Sequence, residues 1–265
     1  MPKESPNNSA YLFMWEGKFL YIGYSIKTNI HEHHALQIAI SEEKPFMMRI
    51  ANNKWKKFRS LIINSDQPHE CVLQNGRVYF LSLDPESIPA KRIKGKFLSG
   101  SNFSYVPQDL LTPYIKRIKK QFSYKINCAK ISKTTDNFIN ALSDSSVGIK
   151  KVDERISTVI GILKNSLDSK IKLKHLAEKV FLSETRLVHL FKEQTGIPVR
   201  KYLLWHRINI AVKEIIAGNK LTGAAHTAGF SDSAHFSKTF KRMFGISPTA
   251  LLKNSQNIQV FSCNK

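Results

Sequence analysis

Residues 229–248 read GFSDSAHFSKTFKRMFGISP, and this stretch predicts a short amphipathic helix with marked ends. Ser231 is a suitable N-cap, because its hydroxyl can accept a hydrogen bond from a free amide of the first turn. Gly245 and Pro248 indicate the end of the helix, since glycine tolerates the left-handed conformation and proline cannot continue the helical hydrogen bonds. Apolar side chains recur at helical spacing and predict one buried stripe: Phe236, Phe240 and Met243.

The opposite face of this predicted helix, which spans residues 232–244, carries small, polar and basic side chains: Ser233, Ala234, His235, Lys238, Lys241 and Arg242. A helix that buries aromatic groups on one side and presents such groups on the other fits the major groove of DNA. The stretch therefore indicates a DNA-reading helix.

A second stretch, residues 181–198, repeats this arrangement as FLSETRLVHLFKEQTGIP and predicts a helix over 184–194. Its buried side would hold Leu187, Leu190 and Phe191. Its exposed side would hold Thr185, Arg186, Val188, His189 and Lys192. A short helix precedes each predicted DNA-reading helix and has an alanine near its middle, Ala177 in the first and Ala225 in the second. A small residue there lets two helices cross closely, as a helix-turn-helix requires.

Three segments with the same order and spacing carry a family resemblance: LAEKVFLSETRLVHLFKEQTG, KYLLWHRINIAVKEII and AAHTAGFSDSAHFSKTFKRMFGISP. Through them, residues from about 155 to 253 resemble the DNA-binding domain of the AraC/XylS family of bacterial transcription regulators. The resemblance implies two helix-turn-helix units joined by one long helix over 199–217. Such an arrangement would present two readers to successive major grooves, about 34 Å apart on one face of the DNA.

The resemblance also implies roles for individual residues. Those expected to face the bases are Thr185, Arg186, Val188, His189, Ser233, Ala234, His235 and Lys238. Those expected to contact phosphates are Lys192, Lys241 and Arg242. Arg186 and Lys238 can donate to guanine, whereas phosphate contacts position the protein without specifying a sequence. Arg207, in the long helix, is expected to have a structural role.

Three features depart from the family's usual pattern, one of which is Leu251 where the family usually ends in tyrosine. Phe181 stands where the family usually has glycine in the first turn, and phenylalanine resists a positive φ. We therefore expect that turn to be reshaped. Gly223, Ala224 and Ala228 replace larger aliphatic residues in the helix before the second reader, so we expect looser packing there.

Positive charge is concentrated in two parts of this 265-residue chain, whose formal net charge is +21. Residues 91–133 contain 11 Lys or Arg against 1 Asp or Glu, and residues 151–265 contain 19 against 8. A positive field attracts phosphate and makes binding salt-dependent, so the distribution favours nucleic acid as a partner.

The remaining composition excludes several classes of protein. The sequence has no 18-residue apolar run and no N-terminal secretory pattern, so neither a membrane span nor secretion is expected. The three cysteines, Cys71, Cys128 and Cys263, are scattered and predict neither a zinc site nor a disulfide framework. We expect unreactive thiols in a reducing cytoplasm. A P-loop, a dinucleotide fingerprint and a nucleophile–base motif are all missing, which argues against an enzyme and a cofactor.

Residues 11–103 consist of short apolar runs separated by turn formers, which predicts a β-sandwich or small barrel. Asn75-Gly76 is one predicted turn, between runs at 72–73 and 78–81. The family resemblance implies a cupin-like domain, and HEHHALQIAIS with the later INSDQPHE is a loose match to that pattern. Residues 84–107 are predicted to be loop and edge, because they contain several prolines and glycines.

A basic amphipathic helix is predicted from Asp109, with a second short helix near 136–142. The apolar stripe of the helix that begins at Asp109 can pack on the barrel or pair with a second subunit. The predicted fold class is therefore α+β, a β-rich domain followed by an all-α domain. The predicted boundaries are 1–10 disordered tail, 11–108 cupin-like sensing or dimerisation domain, 109–142 helical segment, 143–150 linker, 151–253 DNA-binding domain and 254–265 tail.

A group of histidines, His31, His33, His34 and His69, has three open interpretations. An HxH pair with a later histidine can bind a transition metal, for which Glu32 or Glu70 would supply a carboxylate. Leu36-Gln37 replaces the glutamate that usually follows the pair, and no metal is predicted on this ground. His31, His33 and His69 can instead contact a small ligand at the mouth of a barrel, or they are ordinary surface or core residues.

The sequence thus predicts a sequence-specific transcription regulator of promoter DNA. The resemblance implies a homodimer, contact with RNA polymerase, a small-molecule effector, and activation as the commoner mode. Two alternatives are a regulator whose N-terminal domain only dimerises, and a cupin metalloenzyme fused to a DNA-binding domain.

Overall fold

The computed structural model of the chain describes residues 10–51, 53–122, 126–148, 151–165, 171–249 and 258–263. The chain divides into two compact units. The first, here called the N-terminal unit, combines Met1–Ile149 with Phe244–Lys265, and the second, the helical unit, is Lys150–Met243. The predicted disordered tail over 1–10 lies outside the described residues except for Ala10, which begins the first strand.

The N-terminal unit is built on a sheet in which the described strands follow the order β8-β6-β3-β7-β2-β1-β9, with β4 pairing to β7 and β5 to β4. The strands are β1 (Ala10–Trp15), β2 (Lys18–Lys27), β3 (Leu36–Ser41), β4 (Phe46–Ile50), β5 (Lys56–Phe58), β6 (Ser60–Ile63), β7 (His69–Leu83), β8 (Phe103–Ser104) and β9 (Ile258–Ser262). All pairs are antiparallel except β1 with β9.

Strand β7 is continuous where the sequence predicted a turn at Asn75-Gly76. Asn75 adopts φ 53° and Ser25, on the neighbouring β2, adopts φ 55°. The amide of Asn75 donates to the hydroxyl of Ser25 at 2.8 Å, and the β2–β7 register shifts beside it, between Tyr24 and Ile26. The turn prediction is therefore wrong. The local preference for positive φ is satisfied by a bulge, which bends both strands without ending them.

Three helices complete the N-terminal unit: α1 (Ile88–Phe97), α2 (Gln108–Phe122) and α3 (Cys128–Leu142). Helix α1 corrects the prediction of a loop over 84–107. Pro89 lies in its first turn, where proline costs no hydrogen bond, and Ser87 caps it by accepting from the amide of Ala90. The proline that suggested a loop is thus a helix-start signal.

The apolar stripe of α2 is covered within the same unit. Leu111, Tyr114 and Ile118 join the core that includes residues of the sheet and of α3. The rings of Tyr114 and Phe138 stack with centroids 4.2 Å apart. The apolar stripe of α2 therefore packs within its own unit, which is one of the two expected arrangements. The basic residues of α2 are exposed: Lys116, Arg117, Lys119 and Lys120.

The last described residues do not form the tail that the sequence predicted. Residues of β9 pair in parallel with β1, and the ring of Phe261 stacks on Phe13 with centroids 4.9 Å apart. Cys263, which follows the strand, forms a disulfide with Cys128 at the start of α3. The expectation of three unpaired thiols is therefore wrong, and only Cys71, which is buried, remains free.

The helical unit contains α4 (Glu154–Asn165), α5 (Leu173–Lys179), α6 (Glu184–Thr195), α7 (Val199–Ile216), α8 (Leu221–Thr227) and α9 (Ser233–Phe244), of which α9 ends one residue beyond the unit boundary. A core of helices α4 to α6 and the start of α7 encloses Leu187, Phe191 and Tyr202. The prediction of a β-rich unit with helices, followed by an all-helical one, is confirmed. Among the described helices, none has the length and hydropathy that a membrane span requires.

Candidate nucleic-acid interface

The turns between α5 and α6 and between α8 and α9 have the same hydrogen bonds. In the first, Phe181 N donates to Glu178 O at 3.2 Å and Leu182 N donates to Ala177 O at 3.0 Å. In the second, the corresponding bonds run from Gly229 to His226 and from Phe230 to Ala225, both at 2.9 Å. This is the Schellman pattern, which ends a helix and satisfies its last carbonyls. Both helix-turn-helix motifs therefore end their first helix with the same hydrogen-bonded turn.

The Schellman pattern needs a positive φ at the residue after the cap. Gly229 supplies φ 80° in the second turn, whereas Phe181 adopts φ 54° in the first. The expectation that phenylalanine would reshape this turn is wrong, because the hydrogen bonds are kept and the residue takes the strained conformation. The Phe181 side chain is 94% exposed, beside the start of α6. Sequence reasoning did not place an exposed aromatic ring there.

The two predicted reading helices, α6 and α9, begin with different types of capping residue. At α6, Ser183 accepts from Arg186 N at 3.2 Å, as an N-cap serine should. At α9, the cap is Asp232, whose carboxylate accepts from His235 N at 2.7 Å. Ser231, the predicted cap, instead donates to the Asp232 carboxylate at 2.9 Å. The hydrogen bonds from His235 N and from Ser231 hold the pKa of Asp232 below its usual value.

Each reading helix buries the stripe that its sequence predicted. In α6 the buried residues include Leu187, Leu190 and Phe191. In α9 they include Phe236, Phe240 and Met243. Ala177 and Ala225, in the preceding helices, are buried as well, which lets those helices approach closely. Ala224 in α8 and Ala228 at its C-cap are also buried, whereas Gly223 is exposed and a β-carbon there would meet no atom within 4 Å.

Most of the predicted DNA-contacting side chains are exposed: Thr185, Arg186, His189, Lys192, Ala234, His235, Lys238, Lys241 and Arg242. Two predicted base-facing residues differ. Val188 is half-buried and packs against the core of the helical unit, and Ser233 is half-buried in the first turn of α9. The exposed set therefore contains one basic side chain at the first turn of α6 and several along α9.

Two members of this set, His235 and Arg186, have identifiable neighbours. Nδ1 of His235 lies 3.2 Å from the hydroxyl of Ser231, and the His235 and Phe230 rings are nearly perpendicular, with centroids 5.3 Å apart. Arg186 lies near Asp153, whose pKa falls to about 2 because of its hydrogen bonds with Arg155 and, to a smaller degree, the charge of Arg186. Arg207 on α7 is half-buried, and burial lowers its pKa.

A second candidate site lies in the N-terminal unit, where three buried histidines meet. The ligating nitrogens of His31, His33 and His69 all lie within 4.8 Å of one another. Burial lowers the pKa of His31 to about 4, with a smaller effect of the nearby His33. Burial also lowers the pKa of His33 and of His69. All three imidazoles are therefore neutral near pH 7, which leaves each one able to ligate.

The fourth histidine, His34, is separate from this group. Its Nδ1 lies 2.9 Å from a carboxylate oxygen of Asp66, and its Nε2 lies 2.7 Å from one of Glu86. Burial opposes the charged form of His34, but these hydrogen bonds outweigh it and raise the pKa to about 9. Glu70, one of the two predicted carboxylate ligands, forms an ion pair with Arg49 instead. Neither Glu70 nor Glu32 belongs to the group that brings the three histidines together.

Comparison with known proteins identifies the helical unit. A helix-turn-helix domain family matches residues 176–254. Probable transcriptional regulator LumQ of Photobacterium leiognathi is 33% identical over 126 residues, which are 45% of this chain and 50% of that protein. The transcriptional activator RhaS of Mannheimia succiniciproducens is 27% identical over 144 residues, 54% of this chain and 53% of that protein. The chain thus spans about half the length of the curated relatives that it matches.

Solved structures extend the likeness to both units. The crystal structure of ToxT from Vibrio cholerae O395 aligns with a TM-score of 0.61 at 11% identity, covering 91% of this chain and 98% of that one. Unsaturated fatty acid-bound ToxT from strain SCE256 aligns with a TM-score of 0.57 at 13% identity, covering 95% and 97%. At such identities the likeness concerns the fold.

Two helix-turn-helix motifs in tandem thus lie in the part of the chain that matches the helix-turn-helix domain family. Through this segment the chain is similar to bacterial transcription regulators, which supports the resemblance of its helix-turn-helix domain to the AraC/XylS family.

Proposed function

We propose that this protein binds promoter DNA sequence-specifically and regulates transcription, with α6 and α9 entering two successive major grooves. The observation that carries this proposal is the repetition of one helix-turn-helix geometry. Both units have the same turn hydrogen bonds, a capped reading helix and an exposed polar face. One polypeptide would then make the pair of groove contacts that helix-turn-helix proteins usually make as dimers.

Different side chains of the two reading helices would supply specificity and affinity. Arg186 can donate two hydrogen bonds to a guanine edge, and Lys238 can donate to the same acceptors with less defined geometry. Lys192, Lys241 and Arg242 would neutralise phosphates, which adds salt-dependent affinity without sequence preference. The half-buried Val188 and the small Ala234 would make apolar contacts, for example with a thymine methyl.

The proposal is tested by selecting genomic DNA fragments with the purified full chain, in moderate salt with excess competitor DNA. We expect a few promoter sites that share two preferred patches about one helical turn apart. Affinity that shows no preferred sequence and collapses as salt rises would overturn the proposal, because charge alone would then explain binding.

A matched pair of variants separates the two kinds of contact. Arg186→Ala should weaken binding to the selected site by about 1–3 kcal/mol and relax the preference at one base pair. Lys192→Ala, six residues further along the same helix, should weaken binding to all sequences alike and reduce the slope of log K against log salt by about one. Equal effects of both variants on specific and non-specific DNA would contradict these assignments.

We also propose, from the family resemblance, that the protein acts as a homodimeric activator that contacts RNA polymerase and responds to a small-molecule effector. ToxT, whose fold this chain shares, has been solved with an unsaturated fatty acid bound. RhaS, its relative in sequence, is a transcriptional activator by name. Sedimentation of the full chain and transcription in vitro from a selected promoter test these points. A monomer at micromolar concentration, or a template whose transcription falls on addition of the protein, would contradict them.

A further inference from the structure

Two segments of the N-terminal unit are joined through the buried histidines. His31 and His33 lie in the connection between β2 and β3, and His69 begins β7. His31 and His69 form an isolated antiparallel bridge, in which each amide donates to the other's carbonyl, at 2.9 and 2.8 Å. The imidazole centroids are 4.2 Å apart for His31 and His69 and 5.1 Å apart for His33 and His69. Backbone pairing thus holds His31 and His69 together, and His33 is tied to the segment before β7 by a hydrogen bond from Asp66 N to His33 O at 2.9 Å.

Backbone carbonyls fix the orientation of two of the rings. Nδ1 of His31 lies 2.8 Å from Asn29 O, and Nδ1 of His69 lies 2.7 Å from Gln67 O. A carbonyl oxygen only accepts, so each Nδ1 carries the proton and each Nε2 presents its lone pair. Metal-ligating histidines are oriented in this way, by a hydrogen bond from the other ring nitrogen.

The side chain of Gln37 lies between the rings of His33 and His69. Its side-chain oxygen is 2.7 Å from His33 Nε2 and 3.0 Å from His69 Nε2. Because His69 Nε2 has no proton to donate, it and the Gln37 oxygen are two acceptors that face each other. Either the amide is turned so that its NH₂ group donates to the rings, or a cation lies among the acceptors. A cluster of hydrogen-bonded rings and a metal site are therefore the two arrangements that this pocket permits.

The donor set selects a class of metal. Three imidazole nitrogens with no carboxylate in the group suit zinc and the neighbouring divalent transition metals, and do not suit Mg²⁺ or Ca²⁺, which prefer oxygen ligands. The nearby carboxylates have other partners, since Glu86 and Asp66 bind His34 and Glu70 pairs with Arg49. Three histidine ligands also leave a fourth position open for water, for Gln37 or for a ligand atom.

We propose that His31, His33 and His69 form a binding site for one divalent transition-metal ion, with Zn²⁺ as the expected occupant. The ion would join the connection between β2 and β3 to the start of β7. It would stabilise the N-terminal unit whenever it is bound, because it binds the folded form only. The proposal does not depend on the DNA-binding function, which belongs to the helical unit.

The test uses the full chain, prepared without a polyhistidine tag, treated with a chelator and dialysed. Competition with a chromophoric chelator should show one Zn²⁺ per chain, and Co²⁺ should give visible absorption bands of a four- or five-coordinate nitrogen site. Zn²⁺ should also raise the melting temperature. His69→Gln should remove the binding or weaken it at least about 100-fold, since losing a ligand costs more than losing a residue that only orients one. His33→Gln provides a second variant if His69→Gln fails to fold.

The control variants are His175→Gln and His226→Gln, which change exposed histidines of the helical unit. Both should bind one Zn²⁺ with unchanged affinity. A wild-type chain that binds no more than the His69→Gln and His33→Gln variants would overturn the proposal and identify the cluster as a hydrogen-bonded structural network. Loss of zinc in either control variant would also overturn it, because binding would then be located elsewhere.

Discussion

Phe181 holds a backbone conformation that side chains with a β-carbon rarely adopt, and it does so at the turn of a helix-turn-helix. The strain has no compensating burial, because the ring is 94% exposed. The second unit avoids it with Gly229 at the equivalent position. Hydrogen bonding of the last carbonyls of α5 therefore outweighs the local preference of the residue, since those carbonyls would otherwise lack partners.

Replacing this residue gives a direct test of the strain. Phe181→Gly should raise the free energy of unfolding of the full chain by about 1 kcal/mol, because glycine adopts positive φ without a steric penalty. Urea denaturation followed by circular dichroism measures the change. Gly229→Ala should lower the same quantity by a similar amount. Phe181→Ala keeps the β-carbon and should leave stability nearly unchanged, so an equal gain from Phe181→Ala would show that ring exposure, not backbone strain, was responsible.

At the scale of helices and strands, local patterns predicted the reading helices well. The predictions of 184–194 and 232–244 compare with observed bounds of Glu184–Thr195 and Ser233–Phe244. Their apolar period and terminal residues are strong local signals. Helix α1 was missed because Pro89 and Gly95 were read as loop formers, and β7 was divided because Asn75-Gly76 resembles a turn. Proline and glycine occur in loops but also at helix starts and at bulges, and the sequence does not tell these positions apart. Helix α1 and the continuity of β7 were therefore recognised only in the tertiary structure.

Helix α4 carries a glycine whose replacement should stabilise it. A β-carbon at Gly161 would meet no atom within 4 Å, and its φ is not positive. Gly161→Ala should therefore raise the free energy of unfolding by about 0.5–1 kcal/mol, because alanine loses less backbone entropy in a helix. The matched control is Gly218→Ala, which has equal space but φ +94°. It should destabilise, and a gain in both variants would show that space, not φ, decides the sign.

At the scale of the whole molecule, the last described strand pairs with the first one. Strand β9 pairs with β1, and the disulfide between Cys128 and Cys263 closes a separation of 135 residues. Without β9, the edge of β1 would present unpaired amides and carbonyls. The C-terminal residues therefore belong to the N-terminal unit, although they follow the helical unit in sequence.

The disulfide should contribute measurably to stability. Reductant should lower the free energy of unfolding of the wild-type chain by about 2–4 kcal/mol, because the cross-link restricts the unfolded state and holds β9 in place. Thermal melts with and without reductant measure this change. Cys263→Ser should show the lower stability in both conditions. A reductant effect of the same size in Cys263→Ser would assign the change to some other group, with Cys71 as the remaining thiol.

The sequence by itself predicted the helical unit, its two helix-turn-helix motifs and the family resemblance, because helix periods, caps and turn residues are encoded within a dozen neighbouring positions. It also predicted a strand-rich N-terminal part from the spacing of apolar runs. Only the tertiary structure decided that β9 joins β1, that Cys128 meets Cys263, and that His31, His33 and His69 form one buried cluster. These contacts join residues far apart in the chain, and which distant segments meet depends on how the sheet is paired and packed, information that no local pattern carries.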